Sequence, residues 1–542
     1  MTIRAGNPWV VLSVLLVGFF MTLLDTTIVN IAIPDLATGL GASLDQVLWF
    51  VNAYTLVYAA FQLLGGRLGD RIGQRNMFIG GLVLFTLASA ACGVAGTPGQ
   101  LIVMRAVQGL GAAALMPQTL ALIGSVFPPQ RRGAAFGVWS AVASLAILAG
   151  PTVGGVVVGS LGWRWIFFIN VPLGAAAVAG AFLVVPNVRS GRRPRLDLPG
   201  VLLSTIGLFL VVFGAIEGQH HRWGRVWSFV TIPEVLAAGV LVLGVFLVVQ
   251  RGRQKRDPLL PFQLLRNRVF SVSIVLASAV MFAGIGMILP LTIYLQSVLG
   301  MSALTAGLVL APPALLSLVL SPIAGNMVQK VGGRALLVPG LALYGGGFAL
   351  VALMAQPDSS FWVLLPGLIS FGVGMGLVFA PINALAMRDV PAPLAGAAAG
   401  ILSTTRQLGT VIGAAVVGVL LQSRLAAEAT VQAGKRADGL PEGVRGAFQQ
   451  GVARTVSQGL AVGSGQSGGI QAPAGTSDEV RQLFAHAARD VFASGFTSAM
   501  KWALLATAVV QLSALVLSLM TPGKPAPSPA QQPAMKSETT DA

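Results

Sequence analysis

The sequence predicts an all-α membrane protein with fourteen transmembrane helices, and three observations carry that prediction. Of 542 residues, 55% are hydrophobic and only 10% are charged. The mean hydropathy is +0.81. A soluble domain carries roughly 25% charged residues, so this chain lacks the polar surface that water-facing folds need. Second, apolar runs long enough to cross a hydrocarbon core of roughly 30 Å recur from Trp9 onward. Third, the net charge of +16 is gathered into alternate connections between those runs.

The first six runs lie at 9–31, 46–65, 77–96, 100–124, 133–159 and 165–185. Two more follow at 199–217 and 229–250, and the last six at 269–296, 304–325, 334–355, 361–386, 396–421 and 499–521. With the N-terminus inside, the cytoplasmic connections hold 21 bases, Arg67, Arg71, Arg131, Arg251 and Lys330 among them, against six acids. The outer connections hold 11 of each. This asymmetry is the positive-inside signal of a polytopic protein, and both termini are expected in the cytoplasm. It also accounts for the basicity without nucleic acid, which is not an expected partner. The first run has no small-residue cleavage site after it, so a cleaved leader is not expected.

The halves repeat. Gly66–Arg75 (GRLGDRIGQR) after the second span matches Gly325–Arg334 (GNMVQKVGGR) after the tenth, at an offset of 259. Gly137, Ser140, Gly150 and Gly155 in the fifth span match Gly400, Ser403, Gly413 and Gly418 in the thirteenth, at an offset of 263. The expected organisation is therefore two pseudo-symmetric six-helix bundles, 1–186 and 269–521, with two inserted helices at 187–268 and a disordered tail at 522–542. Repeats of this kind build a central site that opens alternately to each side. The connection at about 422–498 reads as a long outer loop with Gly/Ser/Gln-rich sequence at Ser464–Gly475. Within it, Ser477–Phe492 is helix-like behind a Ser cap.

One acid lies in the middle of a span. Asp25 stands in MTLLDTTIVNIAIP, and an intramembrane acid is a functional candidate because hydrocarbon makes it costly. Either it carries a proton, or Thr26, Thr27 or Asn30 satisfies it and it pins the helix. Arg105 in the fourth span needs a partner, and Asp25 is the one deep acid on offer; the alternative is an arginine reaching for the outer interface. Arg406 and Gln407 lie midway along the thirteenth span with no acid at matching depth. Arg406 is a structural anchor or a substrate contact. Asp70 among Arg67, Arg71 and Arg75, with Gly66 and Gly73, is expected to make a short inner turn that latches against facing helix ends. Gly150, Pro151, Gly154 and Gly155 combine a proline bend with glycines that permit close helix approach. WRWIFFINVP (163–172) reads mainly as an aromatic interface belt.

These motifs, in this order, resemble those of the major facilitator superfamily. The two-span insertion, DPLLPFQLLRNRVF (257–270) and RQLG (406–409) narrow the resemblance to its fourteen-span drug:proton antiporter group, the relatives of QacA and EmrB. The resemblance covers nearly the whole chain apart from the outer loop and the tail. It implies the major facilitator fold and proton-driven export. It also implies that Asp25 and Arg105 serve proton coupling, that Asp70, Arg71 and Arg75 form the gating loop, and that GPTVGG (150–155) is an antiporter bend. One departure is the acid-free tenth span, where some exporters of divalent cations carry an acid.

Other classes fit less well. No GxxxxGK[ST] loop is present for ATP. A membrane-embedded enzyme would need clustered acids or a nucleophile with a base, and a sensor would need a folded soluble domain that the sequence does not suggest. The single Cys92 excludes a disulfide framework, and His220, His221 and His486 lie in polar connections, so neither metal nor cofactor is expected. Expected partners are protons, lipids and small drug-like molecules, lipophilic and neutral or monocationic. Asn30, Trp49, Tyr54, Gln108, Met116, Tyr294, Arg406 and Gln407 are the candidate cavity lining. A dedicated exporter of one endogenous metabolite or antibiotic would look the same. The use of 28 Arg against 6 Lys suggests a GC-rich bacterium, and the expected setting is its cytoplasmic membrane, with the protein as a monomer.

Overall fold

The computed structural model describes residues 7–187, 197–221, 223–227, 229–255, 257–457, 476–521 and 523. The Ser464–Gly475 stretch, the basic residues Arg4, Arg189, Arg192, Arg193, Arg195 and Arg256, and the 522–542 tail apart from Gly523 lie outside the described residues.

The helices begin where the sequence caps or removes their first N–H groups, which have no partner inside the helix. In α1 (Pro8–Ile31), the Asn7 side chain accepts from the Trp9 N–H, and Pro8 fills a position whose N–H would be idle. Ala32 separates α1 from the short α2 (Ile33–Leu40). A Ser43/Gln46 capping box opens α3 (Leu44–Ile72), and α4 (Gln74–Gly93) follows after Gly73 alone. Thr97 caps α5 (Pro98–Val126). Then come the 33-residue α6 (Pro129–Leu161) and a broken sixth span, α7 (Trp165–Phe168) with α8 (Asn170–Val184). The inserted pair, α9 (Leu198–His220) and α10 (Ile232–Gly252), is joined by a two-stranded ribbon of β1 (Arg225–Trp227) and β2 (Val230–Thr231).

The second half runs through α11 (Phe262–Arg266), α12 (Arg268–Ile293), α13 (Ala303–Val309), α14 (Ala311–Val331), α15 (Gly333–Met354) and α16 (Phe361–Ala386). It ends with α17 (Ala395–Ala437), α18 (Glu442–Ser457) and α19 (Asp478–Ser518). Thirteen described helices are long and apolar enough to cross a membrane. The predicted fifth span is the remaining helix, α6, whose side chains at 147, 148 and 151 are not described. The chain is an all-α, multi-pass membrane protein.

The repetition read from the sequence reappears in the backbone. Gly41 and Gly73 in the first half, and Gly300 and Gly332 in the second, all have positive φ (59°, 101°, 68° and 86°) and are related by the same offset of 259. L side chains resist that conformation, so both copies keep glycine where the chain reverses.

Two expectations are corrected. GGRLGDRIGQR is not a turn along its length: α3 continues to Ile72 and Gly73 alone reverses the chain. The preceding glycines serve packing. A Cβ on Gly65 would lie 2.2 Å from the Ala113 carbonyl oxygen of α5, and one on Gly66 2.4 Å from that of Gly396 in α17. Glycine costs a helix about 1 kcal/mol relative to alanine, and this close approach offsets it.

The second correction concerns 422–498, whose described residues, 422–457 and 476–498, are mostly helical and not an irregular loop. The thirteenth span continues without a break to Ala437, and the fourteenth begins at Asp478, behind the expected Ser477 cap on Val480 N–H. With α18 they form a helical protrusion around Ala429, Ala433, Ala437, Phe448, Phe484 and Val491. Phe448 and Phe484 meet edge to face at 5.0 Å. Alanine repeating every fourth residue has too little hydropathy to announce a core, so the sequence reading found no folded unit there.

Phe448 is fully buried in this small core. Phe448→Ala should cost the protrusion about 3–5 kcal/mol. Hydrogen exchange should then quicken across 429–457 and 478–491 and stay unchanged in the spans; unchanged exchange throughout would contradict a cooperative protrusion.

Candidate functional site

The centre of the first half is built around Asp25, which α1 delivers into a buried position beside α5. Arg105 Nη1 donates to Asp25 Oδ2 at 2.5 Å and to Gln108 Oε1 at 2.8 Å, while its Nε donates to the Phe50 carbonyl at 2.9 Å. Gln108 Nε2 donates to Asp25 Oδ1 at 2.8 Å. The Tyr54 ring lies 4.4 Å from the guanidinium. Both charges are about 1% exposed. An ion pair this deep is tolerated only with further hydrogen bonds on each partner, and here Nε, Nη1 and both carboxylate oxygens have them. Arg105 is therefore not an interface arginine.

Sequence reasoning missed a further member. Asn170 Nδ2 lies 3.4 Å from Asp25 Oδ1 and donates to Ser89 Oγ at 3.0 Å, and Ser89 donates to the Phe167 carbonyl at 2.9 Å. WRWIFFINVP is thus more than an aromatic belt: Trp163, Ile166 and Phe167 are buried, while Trp165 is exposed. The helix breaks at Ile169 and restarts at Asn170, and that restart turns the amide inward. An asparagine among aromatics, inside a span, was the available signal.

A second set of residues spans the two halves. α17 has no side-chain cap of its own. Asp70 of α3 fills that place: Oδ1 accepts from Gly396 N–H at 2.7 Å and Oδ2 from Ala397 N–H at 2.8 Å. A carboxylate there satisfies two orphan donors and meets the positive end of the helix dipole, an effect worth up to about 2 kcal/mol when partly buried. Buried Arg67 stands 3.8 Å from Asp70 Oδ2. The other two arginines lie elsewhere. Arg71 is exposed. Arg75 Nη2 donates to the Phe182 carbonyl of α8 and stacks on its ring at 5.8 Å, an anchor within its own half. In the second copy, where Gln329 replaces Asp70, the halves meet glycine to glycine: a Cβ on Gly133 would lie 1.9 Å from Gly325 oxygen.

The remaining candidates do not form one cavity. A Cβ on Gly150 would strike the Thr27 hydroxyl, so α6 approaches α1 closely there. Gly155 faces open space and Gly154 is buried; the side chain of Pro151 lies outside the described residues. Close approach therefore belongs to Gly150 and not to Gly155. Trp49 packs toward Phe213 of α9 at 6.2 Å. Tyr294, in a π-helical turn after α12, is buried and donates to the Gln356 carbonyl. Met116 is core, accepting from Thr22 Oγ1 at 3.7 Å, and the exposed Asn30 donates to the Thr26 carbonyl. These aromatics were chosen for their chemistry, and sequence could not say which side of each helix faces a neighbour. Arg406 and Gln407 are half-buried in α17. Arg406 Nη2 donates to Asn383 Oδ1, and the guanidinium lies 5.2 Å from the Trp139 ring.

Comparison with known proteins gives the family. Residues 15–414 match the family model of the Major Facilitator Superfamily. The chain belongs to that superfamily. It is a transporter and not an enzyme. It is 36% identical to a "Probable actinorhodin transporter" of Streptomyces coelicolor, over 79% of this chain and 75% of that one. It is also 36% identical to "Multidrug resistance protein Stp" of Mycobacterium tuberculosis, over 76% and 75%. The proton:xylose symporter XylE shares the fold, with a TM-score of 0.56 at 16% identity, over 75% of this chain and 87% of that one.

Within this transporter, Asp70→Asn should weaken the grip on α17 while leaving the core of either half intact. Transport should fall about tenfold with equilibrium substrate affinity changed less than about twofold, since the contact is worth roughly 1–2 kcal/mol. A large affinity loss with normal transport rates would contradict a latch.

Proposed function

We propose that the protein is a proton-coupled exporter of lipophilic small molecules that works by alternating access, with Asp25 as the proton carrier. The buried Asp25–Arg105 pair supports this most directly. Protonating Asp25 removes one charge of a desolvated pair and leaves Arg105 with Gln108 and the Phe50 carbonyl. The balance that holds α1 against α5 then changes, and the first half can repack. Asp70 on the α17 terminus passes such a change to the other half. The arrangement of bases supports a cytoplasmic position for that latch in a bacterial membrane, so that breaking it would admit substrate from within.

The names of the relatives, a multidrug resistance protein and a probable actinorhodin transporter, favour efflux of large lipophilic compounds. The latter also keeps a dedicated exporter of one endogenous product as a second reading. The sequence pointed to neutral or monocationic compounds, the monocationic ones because of an acid in the cavity, Asp25. With Arg105, Gln108 and Asn170 on it, that basis falls away, and lipophilic character is what remains.

Asp25→Asn keeps the shape and an acceptor for Arg105 but cannot cycle a proton. In inside-out vesicles it should abolish gradient-driven efflux and flatten the pH profile of binding, while substrate exchange without a gradient persists. Pumping against a gradient with an unchanged pH profile would move the proton site elsewhere. For the orientation, single cysteines in 442–457, in a Cys92→Ser background, should react with an impermeant reagent applied outside intact cells. Labelling that requires permeabilisation would reverse the proposed topology.

A further inference from the structure

Arg105 and Arg406 make an instructive contrast. Each is an arginine set into a spanning helix, one in each half. Arg105 is met by a carboxylate, an amide oxygen and a carbonyl. Arg406 is met by the Asn383 amide oxygen, and among the described residues no carboxylate lies within ion-pair distance of it. Its surroundings come from both halves: Trp139 of α6 and Asn383 of α16. Three N–H donors in this cluster have no acceptor, namely Arg406 Nε, Asn383 Nδ2 and Trp139 Nε1. Buried donors are almost always paired, and here one of them belongs to a half-buried cation with no counter-charge within reach. Three such donors gathered about one guanidinium call for an oxygen ligand.

We infer that Arg406, Asn383 and Trp139 form a substrate subsite for an acidic oxygen, a carboxylate or phenolate carried on a lipophilic aromatic body. This rests on the reading of the protein as an exporter and names the substrate class of that same pathway. The guanidinium supplies a planar fork suited to such oxygens. Trp139 is held in place by its stack on Phe19 at 4.2 Å, which fixes the indole beside the guanidinium. A quaternary or protonated amine would instead meet an unscreened positive charge, with Asp25 already engaged. The subsite therefore selects against cations as well as for acids.

The test is equilibrium binding to the full-length protein in detergent, with no gradient and with empty micelles subtracted. The probes are one pyrene scaffold carrying a butyrate, the corresponding amide or a trimethylammonium group. The wild-type protein should bind the carboxylate about tenfold or more tightly than the ammonium. Arg406→Gln should lower carboxylate affinity about tenfold and leave the amide within about threefold. Arg406→Lys, which keeps the charge but not the fork, should fall between them. Trp139→Phe keeps the ring and removes one donor, and should weaken only the carboxylate, by about threefold to tenfold. If Arg406→Gln does not fold, the lysine and phenylalanine variants carry the same test. A wild-type preference for the ammonium, or a ranking of the three probes that none of the variants alters, overturns the inference. Loss of proton-driven transport with this ranking intact would count against the proposed coupling and not against the subsite.

Discussion

The ion pair between Asp25 and Arg105 is the constraint around which the first half is arranged. Neither charge could remain in a low-dielectric interior alone, so each recruits groups from several helices. The Phe50 carbonyl comes from α3, Gln108 from α5, Asn170 from α8, and Ser89 behind it from α4. Five helices thus agree on one point in space. Whatever alters the charge of Asp25 is felt by all of them, which suits this pair to coupling better than a surface carboxylate would be.

The contact between the halves follows a different logic. Among the described residues, Asp70 pairs with no positive side chain across the interface; it takes the bare N–H groups of another helix. Such a bond has a defined geometry and no flexible partner, so it is either made or lost. Gly66 lets α3 come close enough for it, since a Cβ there would collide with the Gly396 oxygen. The second copy, lacking the acid, relies on glycine against glycine at Gly133 and Gly325. Backbone proximity is shared by both copies, and the charge belongs to one.

Much of the fold was legible because a bilayer imposes length and hydropathy on each span. α16 occupies the same residues, 361–386, that the apolar run marks. The deep acid and the deep arginine were legible for a related reason: a charge among apolar residues stands out and needs a partner. Less legible was whatever depends on the rotation of a helix about its axis. Trp49, Tyr294 and Gly155 have the right chemistry for the roles assigned to them, yet they face an inserted helix, a neighbouring turn and open space. Asn170 was overlooked because a polar residue amid aromatics reads as an interface marker. The protrusion was overlooked because its alanine core has almost no hydropathic signature.

The 43 residues of α17 join three of these features on one continuous helix. Its first turn is held by Asp70, Arg406 stands further along, and its last turns pack in the protrusion. At 1.5 Å per residue the rod is about 65 Å long, and a tilt of ~10° about one end sweeps the other through ~11 Å. A hinge within it would require a break in its hydrogen-bond ladder, and no proline interrupts the sequence between Ala395 and Ala437. The contact with Asp70 and the protrusion therefore sit at opposite ends of one continuous helix, and a tilt of that helix about either end is felt most at the other.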